Sequence, residues 1–170
     1  MLQPLLEATS ARKLLLRRTM SVREPSEATP VEHPLCDDYS FTVKNVRCPQ
    51  SSRELELNNK KLTDADLYEP IERMKHFAQL AKLELRFNRI TELTCRHISV
   101  NLSGLRRLDI RGNKLKDSAV ITIARSLHKL NELFVCENEL SDQSVAEIVT
   151  SMKFLSLIWL ENNRVTCKGA

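Results

Sequence analysis

The chain has 170 residues with 26 basic and 22 acidic side chains, a formal net charge of +4. The excess sits in residues 1–23, where Arg12, Lys13, Arg17, Arg18 and Arg23 face one acid, Glu7, and the remaining residues carry 21 charges of each sign. A region without net charge is a poor nucleic-acid-binding surface, and three glycines in all cannot furnish a glycine-rich phosphate loop.

From the start, residues 1–20 are rich in leucine, arginine, serine and threonine. This composition fits a mitochondrial transit peptide or a loosely helical tail, but not a secretory signal, because Arg12, Lys13, Arg17 and Arg18 interrupt the leucines. Five unpaired-looking cysteines, Cys36, Cys48, Cys95, Cys136 and Cys167, then point to free thiols in a reducing compartment, the cytoplasm, with the mitochondrion as the alternative. No stretch approaches the roughly 18 apolar residues of a transmembrane helix. Residues 21–35, with Pro25, Pro30 and Pro34, read as a linker, so residues 1–35 form a flexible tail and linker. Residues 36–51 carry a β-like run, Phe41-Thr42-Val43 then Val46, and read as an N-terminal cap or irregular half-repeat.

From residue 52 to 170 the chain is periodic. Asn88, Asn113, Asn138 and Asn163 recur every 25 residues, each closing a pattern LxxLxLxxNxL. The copies are Leu80-Leu83-Leu85-Asn88-Ile90, Leu105-Leu108-Ile110-Asn113-Leu115, Leu130-Leu133-Val135-Asn138-Leu140 and Leu155-Ile158-Leu160-Asn163-Val165. A weaker copy, Leu55-Leu57-Lys60-Leu62, precedes them. A fixed period of this length marks a stacked solenoid. Within each copy, alternating leucines predict a short strand with its leucines inward, and the asparagine is placed to satisfy backbone groups where the chain turns. A helix follows each strand. Leu67, Ile71, Met74 and Phe77 form the first apolar stripe; Asp117 or Ser118 is suited to cap the third helix; Val145, Ile148, Val149 and Met152 line the fourth.

These motifs resemble leucine-rich-repeat proteins, nearest the ribonuclease-inhibitor-like subclass with a helix in each repeat. The resemblance implies an α/β solenoid of about five repeats, the last incomplete, with a short curved parallel sheet on the concave side and helices on the convex side. Because 25 residues is short for that subclass, the helices are expected to be short or partly 3₁₀. The pattern stops inside its fifth turn, so the array is expected to be truncated or its open end covered by another chain.

Stacked strands place equivalent residues in columns. The position between the strand leucines holds Glu56, Glu84, Asp109, Phe134 and Trp159; the next holds Asn58, Arg86, Arg111, Cys136 and Glu161; the one beyond holds Asn59, Phe87, Gly112, Glu137 and Asn162. Phe134 and Trp159 are expected to face solvent as anchors for a protein partner, or else to pack on each other or on the tail. Glu84 with Arg86 and Asp109 with Arg111 read as a solvated, self-neutralising pair of charges, serving with Phe87 and Glu161 as secondary contacts. No metal-ligand spacing joins His33, His76, His97 and His128, and no catalytic or cofactor-binding pattern is found. The reading is a non-enzymatic interaction module, a scaffold or adaptor that binds a protein on its concave face. The alternatives are a regulator resembling GTPase-activating leucine-rich-repeat proteins, drawing on Arg86 and Arg111, or a mitochondrial accessory or assembly factor.

Overall fold

A computed structural model describes residues 40–166. The expectations for residues 1–39, including the targeting segment, the linker and Cys36, and those for residues 167–170, lie outside the described residues.

A two-stranded antiparallel hairpin comes first, β1 (Phe41–Val43) and β2 (Val46–Cys48). Its turn residues Lys44 and Asn45 both take positive φ, 44° and 69°, the backbone hand that matches strand twist in tight hairpins. Val43 and Cys48 are buried, and the Phe41 ring lies 5.6 Å from that of Phe77.

Five strands and four helices then alternate: β3 (Glu54–Glu56), α1 (Asp64–Met74), β4 (Lys82–Glu84), α2 (Glu92–Asn101), β5 (Arg107–Asp109), α3 (Asp117–Ser126), β6 (Glu132–Phe134), α4 (Asp142–Ser151) and β7 (Leu157–Trp159). The strands form one parallel sheet in chain order, so Leu55, Leu83, Leu108, Leu133 and Ile158 stand in one row. All five are buried, as are Leu57, Leu85, Ile110 and Val135 one step along. The helices pack on one another in a parallel layer behind the sheet. This is the α/β leucine-rich-repeat solenoid that the period predicts. The helices are true α-helices of ten or eleven residues rather than 3₁₀ turns; ten residues at a 1.5 Å rise span only about 15 Å, which a 25-residue period accommodates. Val149 departs from its expected place in the core and is exposed, since the buried stripe of α4 is completed by Val145, Ile148 and Met152.

Two hydrogen-bonded ladders join the repeats. In the first, each asparagine bonds forward and back. The Asn138 amide donates to the carbonyls of Ile110, Val135 and Cys136, while its Oδ1 accepts from the backbone N–H groups of Asn113 and Leu115 at 3.2 and 2.9 Å. Asn113 does the same for Asn88 and Ile90, and Asn88 for Lys60 and Leu62. Lys60 needs no asparagine of its own because Asn88 supplies its turn. The second ladder runs along the helix starts. Asp64 accepts from Thr91 and Thr94, Asp117 from the Ser141 N–H and hydroxyl at 2.7 and 2.6 Å, and Asp142 from Thr166. The expectation that Asp117 or Ser118 caps α3 is therefore corrected. The cap position is Lys116, without a side-chain acceptor, and Asp117 instead secures the start of α4. A first-turn aspartate lies beside the next helix in the stack, one repeat away.

Asn138→Ala leaves the Asn113 and Leu115 N–H groups without their acceptor, each at a cost of about 1–3 kcal/mol, while the Ile110, Val135 and Cys136 carbonyls each keep a second donor. A fall of about 3–5 kcal/mol is expected, allowing for partial relaxation, read from the urea midpoint. For Asp64 and Asp117, burial pushes the carboxyl up, but the hydroxyl and N–H donors outweigh it and hold both below the ordinary aspartate range. Their contribution is thus present above the unfolded value near pH ~4 and disappears as pH falls through the lowered folded-state values. Urea midpoints at pH 6 and pH 3 should differ less in the Asp64→Asn, Asp117→Asn double variant than in the wild type.

Candidate functional site

With leucines inward at the centre of each strand, the residues on either side point to the opposite face of the sheet. That face holds the column Glu56, Glu84, Asp109, Phe134 and Trp159 and, one step earlier, Glu54, Lys82, Arg107, Glu132 and Leu157. The earlier column was missed in the sequence, although the same period 2 that orients the first also orients it.

The missed column explains how the face is neutralised. Lys82 reaches Glu54, Glu56 and Glu84 at 2.9, 3.3 and 3.2 Å. Glu84 is 4% exposed and also takes Arg86 at 3.2 Å and the Asn58 amide at 2.9 Å. Burial pushes the Glu84 carboxyl up; Asn58, Lys82 and Arg86 together bring it below its ordinary value. Asp109 is fully buried and holds the Arg111 guanidinium by both oxygens, at 2.7 to 3.1 Å. Glu84 and Asp109, expected as members of a solvated face, are instead the buried floor beneath half-buried Arg86 and Arg111. Such charges set side-chain geometry; their net contribution to stability is small.

Toward the C-terminal strands the floor becomes aromatic. Phe134 is only 5% exposed, not the solvent-facing anchor expected. Arg107 lies over its ring at 4.6 Å and Arg111 at 5.3 Å, reaching across from β5 and from just beyond its end. Its own neighbour Trp159 sits 5.5 Å away at an interplanar angle of 58°. Arginine stacking on an aromatic ring is favourable, more so where water is displaced, and it converts an outward position into a buried one. The rings do pack on each other, as the second of the two expectations for them holds. Trp159 stays half-buried, with Arg111 5.7 Å from its ring, and its Nε1–H, shielded from solvent, meets no acceptor among the described residues. Arg107 Nε is likewise without a partner. Glu161 is half-buried on the next strand position. Cys136 is 5% exposed and burial pushes its thiol up, the environment of an inert packing thiol. Cys95 is wholly buried in α2, and burial pushes its thiol up as well.

Phe87 belongs to a different place. It sits at the turn position just before the asparagine, where every repeat takes a left-handed backbone: φ is 56° at Asn59, 53° at Phe87, 64° at Gly112, 54° at Glu137 and 55° at Asn162. For an L residue that region costs roughly 1–2 kcal/mol, and asparagine and glycine tolerate it best. The Phe87 ring is 45% exposed and lies on Gly112, where a Cβ would come within 2.3 Å of it.

Among the described residues no group of three or more His, Cys, Asp or Glu could hold a metal ion, and no helix is long and apolar enough to cross a membrane. His97 stacks on Tyr68 at 4.2 Å, away from this face, while His76 and His128 are exposed near helix ends.

No protein-family model matches the chain, and no curated protein sequence matches it. Among solved structures, an internalin from Listeria monocytogenes is 25% identical with a TM-score of 0.45, covering 56% of this chain and 26% of its own. The BIR2 ectodomain from Arabidopsis thaliana is 22% identical with a TM-score of 0.41, covering 66% of this chain and 55% of its own. The chain thus spans about a quarter and about half of these two structures. Its fold follows from its own five stacked strands and four helices.

Asp109→Leu strands Arg111 over an apolar floor and should cost about 3–5 kcal/mol, while the added change Arg111→Leu should restore at least half. A double-mutant cycle in urea checks this; two independent, additive losses would contradict the buried pairing.

Proposed function

We propose that the chain is a non-enzymatic protein-binding module, a scaffold or adaptor, whose partner docks on the concave strand face around Trp159. The observation that carries this reading is the half-buried Trp159 on a buried Phe134. A half-buried tryptophan beside half-buried arginines has the composition of an interface anchor. Charged neighbours already paired within the chain let a partner dock without leaving buried charges bare. Phe134, Glu84 and Asp109 act from below by holding Trp159, Arg86 and Arg111 in place, with Glu161 at the rim. Phe87 is set apart at the turn.

The α-helix in each of the first four repeats supports the ribonuclease-inhibitor-like type. Separate buried free thiols at Cys48, Cys95 and Cys136 support a reducing compartment such as the cytoplasm, and the hairpin supports an N-terminal cap. The GTPase-activating reading is disfavoured: Arg111 is held by both oxygens of Asp109, and Arg86 is tied to Glu84, whereas a donor to a partner's phosphoryl group must be free to reach it.

Capture of partners from a lysate by the wild type, followed by affinity measurement on the identified protein, tests the reading. Trp159→Ala should weaken binding about 30-fold or more, as an anchor residue does, with an unchanged circular dichroism spectrum. Undiminished binding by that folded variant would sink it. Phe134→Ala is unsuitable alone, because it also empties part of the core.

A further inference from the structure

A second surface lies on the loop side of the array, where the strands turn toward the helices. Lys60, Lys61, Arg89, Lys114 and Lys116 are all exposed there, and among the described residues none forms an ion pair. On the strand face, by contrast, Lys82, Arg86, Arg107 and Arg111 are all paired with acids. Glu92, which lines the same cleft, is already engaged by Arg96 and by the Ser118 hydroxyl. Arg89, Lys114 and Lys116 line an open cleft of about 650 Å³ between the second and third repeats, whose floor includes Gly112. The ring resting on Gly112 is Phe87.

Phe87 makes this more than a solvated stripe of cations. It is a bulky side chain in a left-handed backbone position that the other repeats give to Asn, Gly or Glu, and it is left 45% exposed. A left-handed backbone under an aromatic that is left nearly half exposed points to a role in binding. From these observations we infer that the loop side binds an acidic segment of another protein, with an apolar residue of that segment on Phe87 and its carboxylates on the five cations.

Charge distribution selects protein over nucleic acid. The stripe spans three repeats, about 10 Å at the spacing of stacked strands, the reach of about three or four extended residues. It ends at Glu137 and Glu139, the latter taking Arg164. A phosphate backbone would run on into those acids, whereas a short acidic run fits within them. This surface is independent of the one around Trp159.

The test uses the full chain and a labelled peptide of Asp and Glu around one central Leu, read by fluorescence anisotropy. Its comparators are the same peptide with Asn and Gln, and a DNA duplex of equal charge. The acidic peptide should bind, weaken as salt is raised, and exceed both comparators. Phe87→Asn should weaken binding about tenfold, the loss of one aromatic contact, while the urea midpoint stays level or rises because Asn tolerates the left-handed turn. Arg89→Glu with Lys114→Glu should abolish it, and Trp159→Ala should leave it unchanged. The inference is overturned by equal binding of the uncharged peptide, by tighter binding of DNA, or by a Phe87→Asn variant that binds like wild type. It is also overturned if peptide binds only after Glu24, Glu27, Glu32, Asp37 and Asp38 are changed to their amides, because the occupant is then this chain's own segment.

Discussion

Everything in this array depends on how buried backbone groups are satisfied where each strand turns into its loop. At that corner the chain leaves the sheet ladder, so its N–H and C=O groups lose strand partners inside a stack that excludes water. An unsatisfied group there costs on the order of 1–3 kcal/mol, and five repeats multiply the problem. The asparagine answers it with one side chain that donates to three carbonyls and accepts from two N–H groups of the preceding repeat. Because its amide serves both its own repeat and the one before, and its Oδ1 serves the one before, the residue is a link between neighbours as much as a turn. Stability in such an array is a sum of repeats and their interfaces, and the asparagine contributes to both.

The same corner dictates the backbone just before it. To aim the asparagine inward, the preceding residue takes positive φ in all five repeats. Asn59, Gly112 and Asn162 suit that geometry, and Glu137 and Phe87 do not. The glycine in the next repeat makes Phe87 possible, since a Cβ at Gly112 would collide with its ring. A constraint on folding thus creates a raised, costly site on the loop side. The aspartate ladder at the helix starts is the looser counterpart of the asparagines. It has a gap at Glu92, which bonds the Ser118 hydroxyl instead of a backbone N–H, and α3 begins with Lys116 and no side-chain cap.

Much of this was legible in the residues because the period is strict. Spacing alone located the strands, the inward leucines, the turns and the starts of the helices. Interactions between columns were less legible. Phe134 stands in an outward column by period 2, and nothing within its own repeat reveals that arginines one strand away fold over it. Asp117 is placed like a helix cap, yet its carboxylate is nearer the next helix than its own. Lys82 and Arg107 stand in an outward column by the same alternation, and their reach over Glu84 depends on side-chain length that the alternation does not state. A single repeat specifies which way a side chain points. What covers it depends on the neighbours and on side-chain length.

That distinction separates the two faces. On the strand side, arginines reach far enough to pair with acids and to stack on Phe134, so their charge is consumed within the chain. What remains for a partner is shape and the half-buried Trp159 ring. A neutralised surface of this kind gives little long-range attraction, and its affinity must come from desolvating the aromatic. On the loop side the cations are exposed and unpaired, so attraction acts at a distance and weakens with salt. One fold therefore presents a short-range contact and a long-range one on separate faces, and the difference follows from whether the adjacent repeat supplies an acid within reach.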